Sequence, residues 1–263
     1  MKNKPYLIIS NDDGYTAGGI NFLIETLRPM ANLLVVAPDQ PRSGQGCAFT
    51  PTAPLRVKLI REEEGLRIYA CNGTPVDCVK IAVNELMERQ PDLIIGGINH
   101  GDNASVNAHY SGTMGVAPEA ALQGFPSIAF SLCNHSANAD FTPLRPYLID
   151  MTFKAIAMGM PPFTCLNINF PNRPKFEGVK ICRMAKSRWE KEVEMRRHPF
   201  GPKYFWLVGE CRELEPEAPD TDRWALAHGY VAITPVNLDV THYGMKDALQ
   251  GWNEDSTTEA TPC

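Results

Sequence analysis

Short apolar runs that end abruptly in polar loops set the pattern of this chain. Tyr6-Leu7-Ile8-Ile9-Ser10 is apolar on both faces and stops at Asn11-Asp12-Asp13-Gly14, as a buried parallel strand does. Ile20, Leu23, Ile24 and Leu27 then recur at helical spacing and close near Pro29, and residues 33–37 form a second apolar strand stopped by Pro38-Asp39. Residues 55–60 and 66–71, joined by a Glu-rich turn, read as a hairpin. Helical periodicity over 76–89 leads to a strand at 92–95, a polar loop over 96–112, a helix through Ala117, Ala120, Ala121 and Leu122, and a strand at 127–130. One more helix is expected over 146–158, one more strand at 166–170, and runs 204–208 and 230–234 complete the strands.

Strand alternating with helix implies right-handed parallel crossovers. The expected fold class is α/β: a Rossmann-like three-layer sandwich with a mostly parallel sheet. Residues 186–202 break the pattern, being charged and carrying Trp189 and Phe200 without a periodic core stripe. They read as a projecting hairpin or arm of the kind that packs on a neighbouring subunit. Residues 1–250 are expected to form a single domain, and the polar stretch 251–263 a disordered tail.

At 263 residues and 44% hydrophobic content the chain can bury a large α/β core. Its net charge of -5 lacks the basic surplus of a protein that lives on nucleic-acid backbone. An anionic substrate must therefore be met locally, by a metal or by backbone N–H groups. The eight cysteines are scattered with no Cys-x-x-Cys pair, so they read as small apolar residues in a reducing compartment, with little support for zinc. The first strand begins at Pro5, leaving no room for a secretory leader, and no apolar run reaches membrane-spanning length. A cytoplasmic protein without membrane contact is expected.

The polar chemistry gathers in three loops that leave strand ends, where open α/β sheets bind ligands. In the first, Asp12 and Asp13 repel each other directly after a buried strand. Either a bound cation offsets that cost or an Asp-Gly turn starts a helix, whose N-terminus also favours acidic residues. In the second, Arg42-Ser43-Gly44-Gln45-Gly46 offers exposed N–H groups and a hydroxyl, or is a flexible linker; it lacks the Gly-Lys-Ser/Thr of a P-loop. In the third, Gly96-Gly97-Ile98-Asn99-His100-Gly101-Asp102-Asn103 leads to Ser111-Gly112-Thr113 at a helix start, which is either an anion-binding end or an ordinary Ser N-cap. Together the loops supply carboxylate, hydroxyl and amide oxygens, which suit Mg²⁺ or Mn²⁺ over zinc. A hard cation beside an anion-binding helix end describes phosphoryl chemistry.

These motifs closely resemble the survival-protein SurE family of nucleotidases. The resemblance is carried by Ser10-Asn11-Asp12-Asp13-Gly14, Ala37-Pro38 with Arg42-Ser43, Gly73-Thr74-Pro75-Val76-Asp77-Cys78, Gly97-Ile98-Asn99-His100-Gly101-Asp102-Asn103, Ser111-Gly112-Thr113 and Asn167-Ile168-Asn169-Phe170-Pro171. Thr221-Asp222 and the run from Gly229 to Pro235 extend it, so that it spans residues 5–245. It implies a C-terminal extension exchanged between subunits, giving a homodimer or homotetramer. It also implies a metal-dependent phosphatase acting on nucleoside 5′-monophosphates, with 3′-nucleotides and short polyphosphate as further substrates. Position by position, the implied ligands of one Mg²⁺ or Mn²⁺ per subunit are Asp12, Asp13, Ser43 and Asn99, with Asp12 and Asp13 catalytic, and Asn103, Ser111, Gly112 and Thr113 line the implied phosphate pocket. Two positions depart from the family pattern. Residue 96 is Gly where many members carry Ser, and Pro118 is an uncommon helix breaker, tolerable in a first turn but able to shift the anion-binding end.

Overall fold

Tyr6, Ile8 and Ser10 point to one side of strand β1 (Tyr6–Ser10), and Leu7 and Ile9 to the other. Both sides are covered, which is why the run carries no polar alternation. The computed structural model, describing residues 4–253, places β1 near the middle of a nine-stranded sheet. Its early strands are β2 (Asn32–Pro38), β3 (Val57–Glu63), β4 (Leu66–Cys71), β5 (Leu93–His100), β6 (Ser127–Leu132) and β7 (Thr164–Phe170). The sheet order from one edge is β3-β4-β2-β1-β5-β6-β7, with β4 through β7 all parallel and β3 an antiparallel edge hairpin. Beyond β7 lie β13 (Tyr230–Asn237), antiparallel to it, and β8 (Gly178–Ile181) at the far edge.

Helices α1 (Gly18–Leu27) and α4 (Arg145–Met158) cover one face, where Ile20, Leu23 and Leu148 join Leu7 and Ile9 in a core cluster. Helices α2 (Pro75–Ile81) and α3 (Gly112–Leu122) cover the other, where Val79, Val116 and Ala120 meet Ile8 and Val36. The result is the expected three-layer α/β sandwich. Thr74 starts α2 with a reciprocal capping box to Asp77, followed by Pro75 at a position where its missing N–H costs nothing. The chain passes from β1 through α1 to β2 on one side and later returns to β5 on the other, so the order reverses at the β1–β5 junction. That crevice is where doubly wound sheets bind ligands.

Four sequence expectations are corrected. The helix over 76–89 ends in a π-turn at Ala82–Leu86, before the polar Glu88-Arg89. The polar loop after 95 begins as strand, since β5 runs on to His100, and it contains a 3₁₀ turn at Ser105–His109. Pro118 lies well inside α3, beyond its first turn. The arm is longer than residues 186–202: β9 (Ser187–Glu190) pairs with β12 (Glu210–Glu213), and β10 (Val193–Arg197) with β11 (Lys203–Leu207), two antiparallel ribbons outside the main sheet. The strand read at 204–208 therefore belongs to the arm.

Periodicity also missed the short helices α5 (Asp222–Ala227) and α6 (Tyr243–Ala248). Of the stretch expected to be disordered, 251–253 complete a 3₁₀ turn beginning at Gln250, and 254–263 lie outside the described residues. Cys71, Cys78, Cys165 and Cys182 are buried, whereas Cys47 is exposed, in the polar loop after β2. No helix among the described residues is long and apolar enough to cross a membrane.

Candidate active site

Because β2, β1 and β5 are adjacent and parallel, their carboxyl ends fall side by side. They bring the three loops to one cleft of about 800 Å³, lined by Asp12, Ser43, Asn99, Asn103 and Ser111 among others. Asp12 is 3% exposed. Its Oδ1 accepts from the Thr113 hydroxyl at 2.6 Å and its Oδ2 from the Gly112 N–H at 3.2 Å. Each oxygen keeps a lone pair beyond these bonds. Burial pushes the Asp12 carboxyl above its ordinary range despite the donors. Asp13 is pushed up in the same direction, first by burial and then by the charge of Asp12, while its Oδ2 accepts from the His100 N–H at 3.2 Å. Asp13, directly after Asp12, is half-buried at the rim of the cleft-lining residues.

The loop after β2 is pinned, which removes the flexible-linker reading. Arg42 N–H donates to the Asp12 carbonyl at 2.7 Å, and Gly46 N–H to the Tyr110 carbonyl at 2.9 Å. Ser43, held between these anchors, is exposed on the cleft. Asn99 is aimed by a bulge: the pairing of β5 with β6 steps from Gly96–Ala129 to Asn99–Ser131, one extra residue on β5. Its amide nitrogen donates to the Gly101 carbonyl at 2.9 Å, leaving Oδ1 as the available acceptor.

Asn103 is anchored by asparagines from β7. Its N–H donates to Asn169 Oδ1 at 2.8 Å, its carbonyl accepts from Asn167 Nδ2 at 2.8 Å, and its Nδ2 donates to Ser131 Oγ at 2.7 Å. Ser131 can donate as well as accept, so either orientation of the Asn103 amide is satisfied. Ser111 caps α3 by accepting from Met114 N–H at 3.0 Å. This cap is intact despite Pro118, which is too far along the helix to disturb it. The N–H of Gly112 and the hydroxyl of Thr113, read from sequence as phosphate donors, are directed at Asp12.

Both ring nitrogens of His100 are engaged: Nε2 accepts from Gly19 N–H at 3.3 Å and Nδ1 meets the Ser136 carbonyl at 3.0 Å. Both contacts tie the ring to the backbone on either side of the third loop. Sequence reading missed the buttress around the third loop. Arg223 pairs with Asp102 at 3.0 Å across 121 residues and with Glu213 of the arm at 3.0 Å. Buried Asp222 accepts from the N–H groups of Ser105 and Ala185 at 2.8 and 2.9 Å. Of these, Asp102 and the Thr221-Asp222 motif had drawn notice in the sequence, but not their pairing with Arg223 and the arm.

Among the described residues no Lys or Arg lines the cleft, whereas Asp12, Asp102 and Glu192 do. A bound cation would offset the repulsion between these carboxylates and a dianionic phosphate. Among the described residues no group of three or more His, Cys, Asp or Glu stands together as a metal cage. A cation in this cleft would therefore rely on hydroxyl and amide oxygens beside the carboxylates, a donor set that fits a hard divalent ion.

A doubly wound sheet with an oxygen-lined cleft at its β1–β5 switch point defines a class of α/β ligand-binding proteins. Residues 7–191 match the pattern of the family described as Survival protein SurE, and the chain belongs to that family. Curated relatives named 5′-nucleotidase SurE include those of Phocaeicola vulgatus, 52% identical over 96% of this chain and 98% of the relative, and Bacteroides fragilis, 49% identical over 96% and 99%. The crystal structure of the SurE protein from Aquifex aeolicus aligns with a TM-score of 0.81 at 35% identity, covering 95% of this chain and 100% of that one.

Proposed function

We propose that this protein is a 5′-nucleotidase, a divalent-metal-dependent phosphatase that converts nucleoside 5′-monophosphates to nucleoside and inorganic phosphate. The supporting observation is the charge of the cleft: among the described residues it is lined by Asp12, Asp102 and Glu192 and by no lysine or arginine. The relatives that carry the name 5′-nucleotidase SurE match nearly the whole chain.

In this reading Asp12, Asp13, Ser43 and Asn99 hold one Mg²⁺ or Mn²⁺ per subunit. Bound there, the cation supplies charge neutralisation for the phosphoryl group and a nucleophilic water. The protein's own part is positional. Thr113 and Gly112 fix the Asp12 carboxylate in one orientation, and metal-site partners of this kind set ligand basicity. Ser111 and Asn103 receive the phosphate oxygens beside the positive end of α3, whose dipole favours the charge that spreads in the transition state. Asp12 and Asp13 are the carboxylates available to orient the attacking water.

The same proposal extends to 3′-nucleotides and short polyphosphate as further substrates and to a cytoplasmic location. It includes a homodimer or homotetramer joined through the arm. The outer ribbon of that arm exposes Phe200, Phe205 and Trp206, more apolar surface than a free hairpin sustains in water.

The test is a panel of nucleoside monophosphates assayed for inorganic phosphate, with and without chelator. Release from 5′-monophosphates that stops on chelation is expected. Tight nucleotide binding with no release would overturn the reading in favour of a sensing module.

A further inference from the structure

The cleft has two chemically distinct halves, and the catalytic reading uses only one. The strand-exit loops line it with Asp12, Ser43, Asn99 and Asn103; the root of the arm lines it with Trp189, Leu207, Val208 and Gly209 beside one carboxylate, Glu192, and Tyr110 joins them from the third loop. Leu207 is 85% exposed and Tyr110 53%, so neither is there to fill a core. A cleft of about 800 Å³ is also far larger than a phosphate group needs and matches the usual size of a site for a whole small ligand.

We propose that the root of the arm is the wall that receives the nucleobase, with Trp189 as its stacking face and Leu207 and Tyr110 completing it. This rests on the nucleotidase reading and names the part of the substrate that the arm selects. A nucleoside monophosphate is divided as the cleft is, with a charged end for the oxygen-lined half and a flat apolar ring for the other. Every base has a π-face, so an indole binds bases with little sequence preference.

The indole is held for this purpose. Trp189 is half-buried, and its Nε1 donates to Asn107 Oδ1 at 3.1 Å. Asn107 in turn donates to Asp102 Oδ1 at 3.3 Å, and Asp102 is paired with Arg223. The chain of contacts from Arg223 to Trp189 thus ties the stacking face to the loop that carries Asn99 and Asn103. On the arm side, Gly209 has φ +132°, and a β-carbon there would stand 3.3 Å from Trp189 Cε3. The backbone itself therefore closes one side of the ring, and a larger residue would displace it.

The test compares AMP with ribose 5-phosphate, which keeps the ester and the sugar but lacks the base. Trp189→Ala should lower kcat/KM for AMP by about tenfold, mainly through KM, as loss of one base–aromatic stack does. Ribose 5-phosphate turnover should stay within about twofold of the unaltered enzyme, and Trp189→Phe should retain most of the AMP activity. Leu207→Ala, at an exposed position, should give a smaller loss confined to AMP and carries the test should Trp189→Ala misfold. Equal losses on both substrates, or no loss on AMP, would overturn the wall. An unaltered enzyme that releases phosphate from neither substrate would overturn the nucleotidase reading itself, whereas one that uses both equally well overturns only the wall.

Discussion

The hydroxyl of Thr113 donates to Asp12 Oδ1 at 2.6 Å, joining the start of α3 to the end of β1 across 101 residues. The contact is buried on both sides, with Thr113 at 0% exposure and Asp12 at 3%, so it is set by the packing of α3 on the sheet. It makes Thr113 a positioning residue for the carboxylate. Thr113→Val keeps the shape and removes the donor. A fall of roughly 10- to 100-fold in Mn²⁺ affinity is expected, the usual cost of losing such a partner, with turnover recovering at saturating metal. Calorimetric titration of the metal checks this, and unchanged affinity would remove Thr113 from the site. Asp12→Asn should instead abolish turnover at any metal concentration while leaving the far-ultraviolet circular dichroism unchanged.

The same carboxylates make a pH prediction. Burial raises Asp12 above its ordinary value of 3.8, and burial plus the charge of Asp12 raises Asp13. A carboxyl raised in the folded state binds more protons folded than unfolded, so folding stability falls as pH rises through that window. The metal-free protein should therefore lose thermal stability from about pH 4 upward, and Mn²⁺ should restore it at neutral pH. Thermal melts with and without chelator test the sign. Asp12→Asn should lessen the pH-dependent loss and melt higher than the metal-free wild type at neutral pH.

Asp77 behaves in the opposite way. Burial alone would raise its carboxyl, but the Thr50 hydroxyl at 2.6 Å, Thr50 N–H at 2.9 Å and Thr74 N–H at 2.9 Å outweigh it and hold it below its ordinary range. Stability from this group is present above the ordinary carboxylate range and is lost as pH falls through it. An Asn at this position must turn its NH₂ toward one of those donors. Asp77→Asn should thus cost about 1–3 kcal/mol of unfolding free energy in urea and flatten the acid limb of stability.

Gly96 marks where α3 sits closest to the sheet. A β-carbon there would lie 2.5 Å from the Thr113 carbonyl and 3.1 Å from Val116 Cβ, so Gly96→Ser must push the first turns of α3 outward. A loss of about 1–3 kcal/mol is expected from overpacking, together with weaker metal binding as Thr113 leaves Asp12. Denaturant unfolding and metal titration measured on the same variant check both halves.

The centre of the sheet was legible because strands such as β1 and β2 are apolar on both faces, and runs as short as 6–10 and 33–37 bounded by polar turns read as buried strands. The cleft was legible in outline because parallel strands put their polar exits on one edge, so Asp12, Ser43 and Asn99 could be placed there from sequence. What sequence order hid is pairing at long range. Arg223 looks like any charged residue of a short helix until it meets Asp102, and Trp189 gives no sign in a charged segment that it meets Asn107 of the third loop. The arm was underestimated because an exposed ribbon such as β10–β11 has no buried face to impose alternation. The contact of Gly112 and Thr113 with Asp12 was hidden for a related reason: a helix start shows its donors but not which acceptor they meet.

One divalent ion gripped between Asp12, Asp13, Ser43 and Asn99 is the claim on which the account stands. Its most direct test is titration of Mn²⁺ into chelator-stripped protein, with phosphate release from AMP followed in the same samples. The account predicts release that is absent at the start, rises with bound metal and saturates at one ion per chain. Full turnover in stripped protein, or metal uptake unaltered by Asp12→Asn, would contradict it.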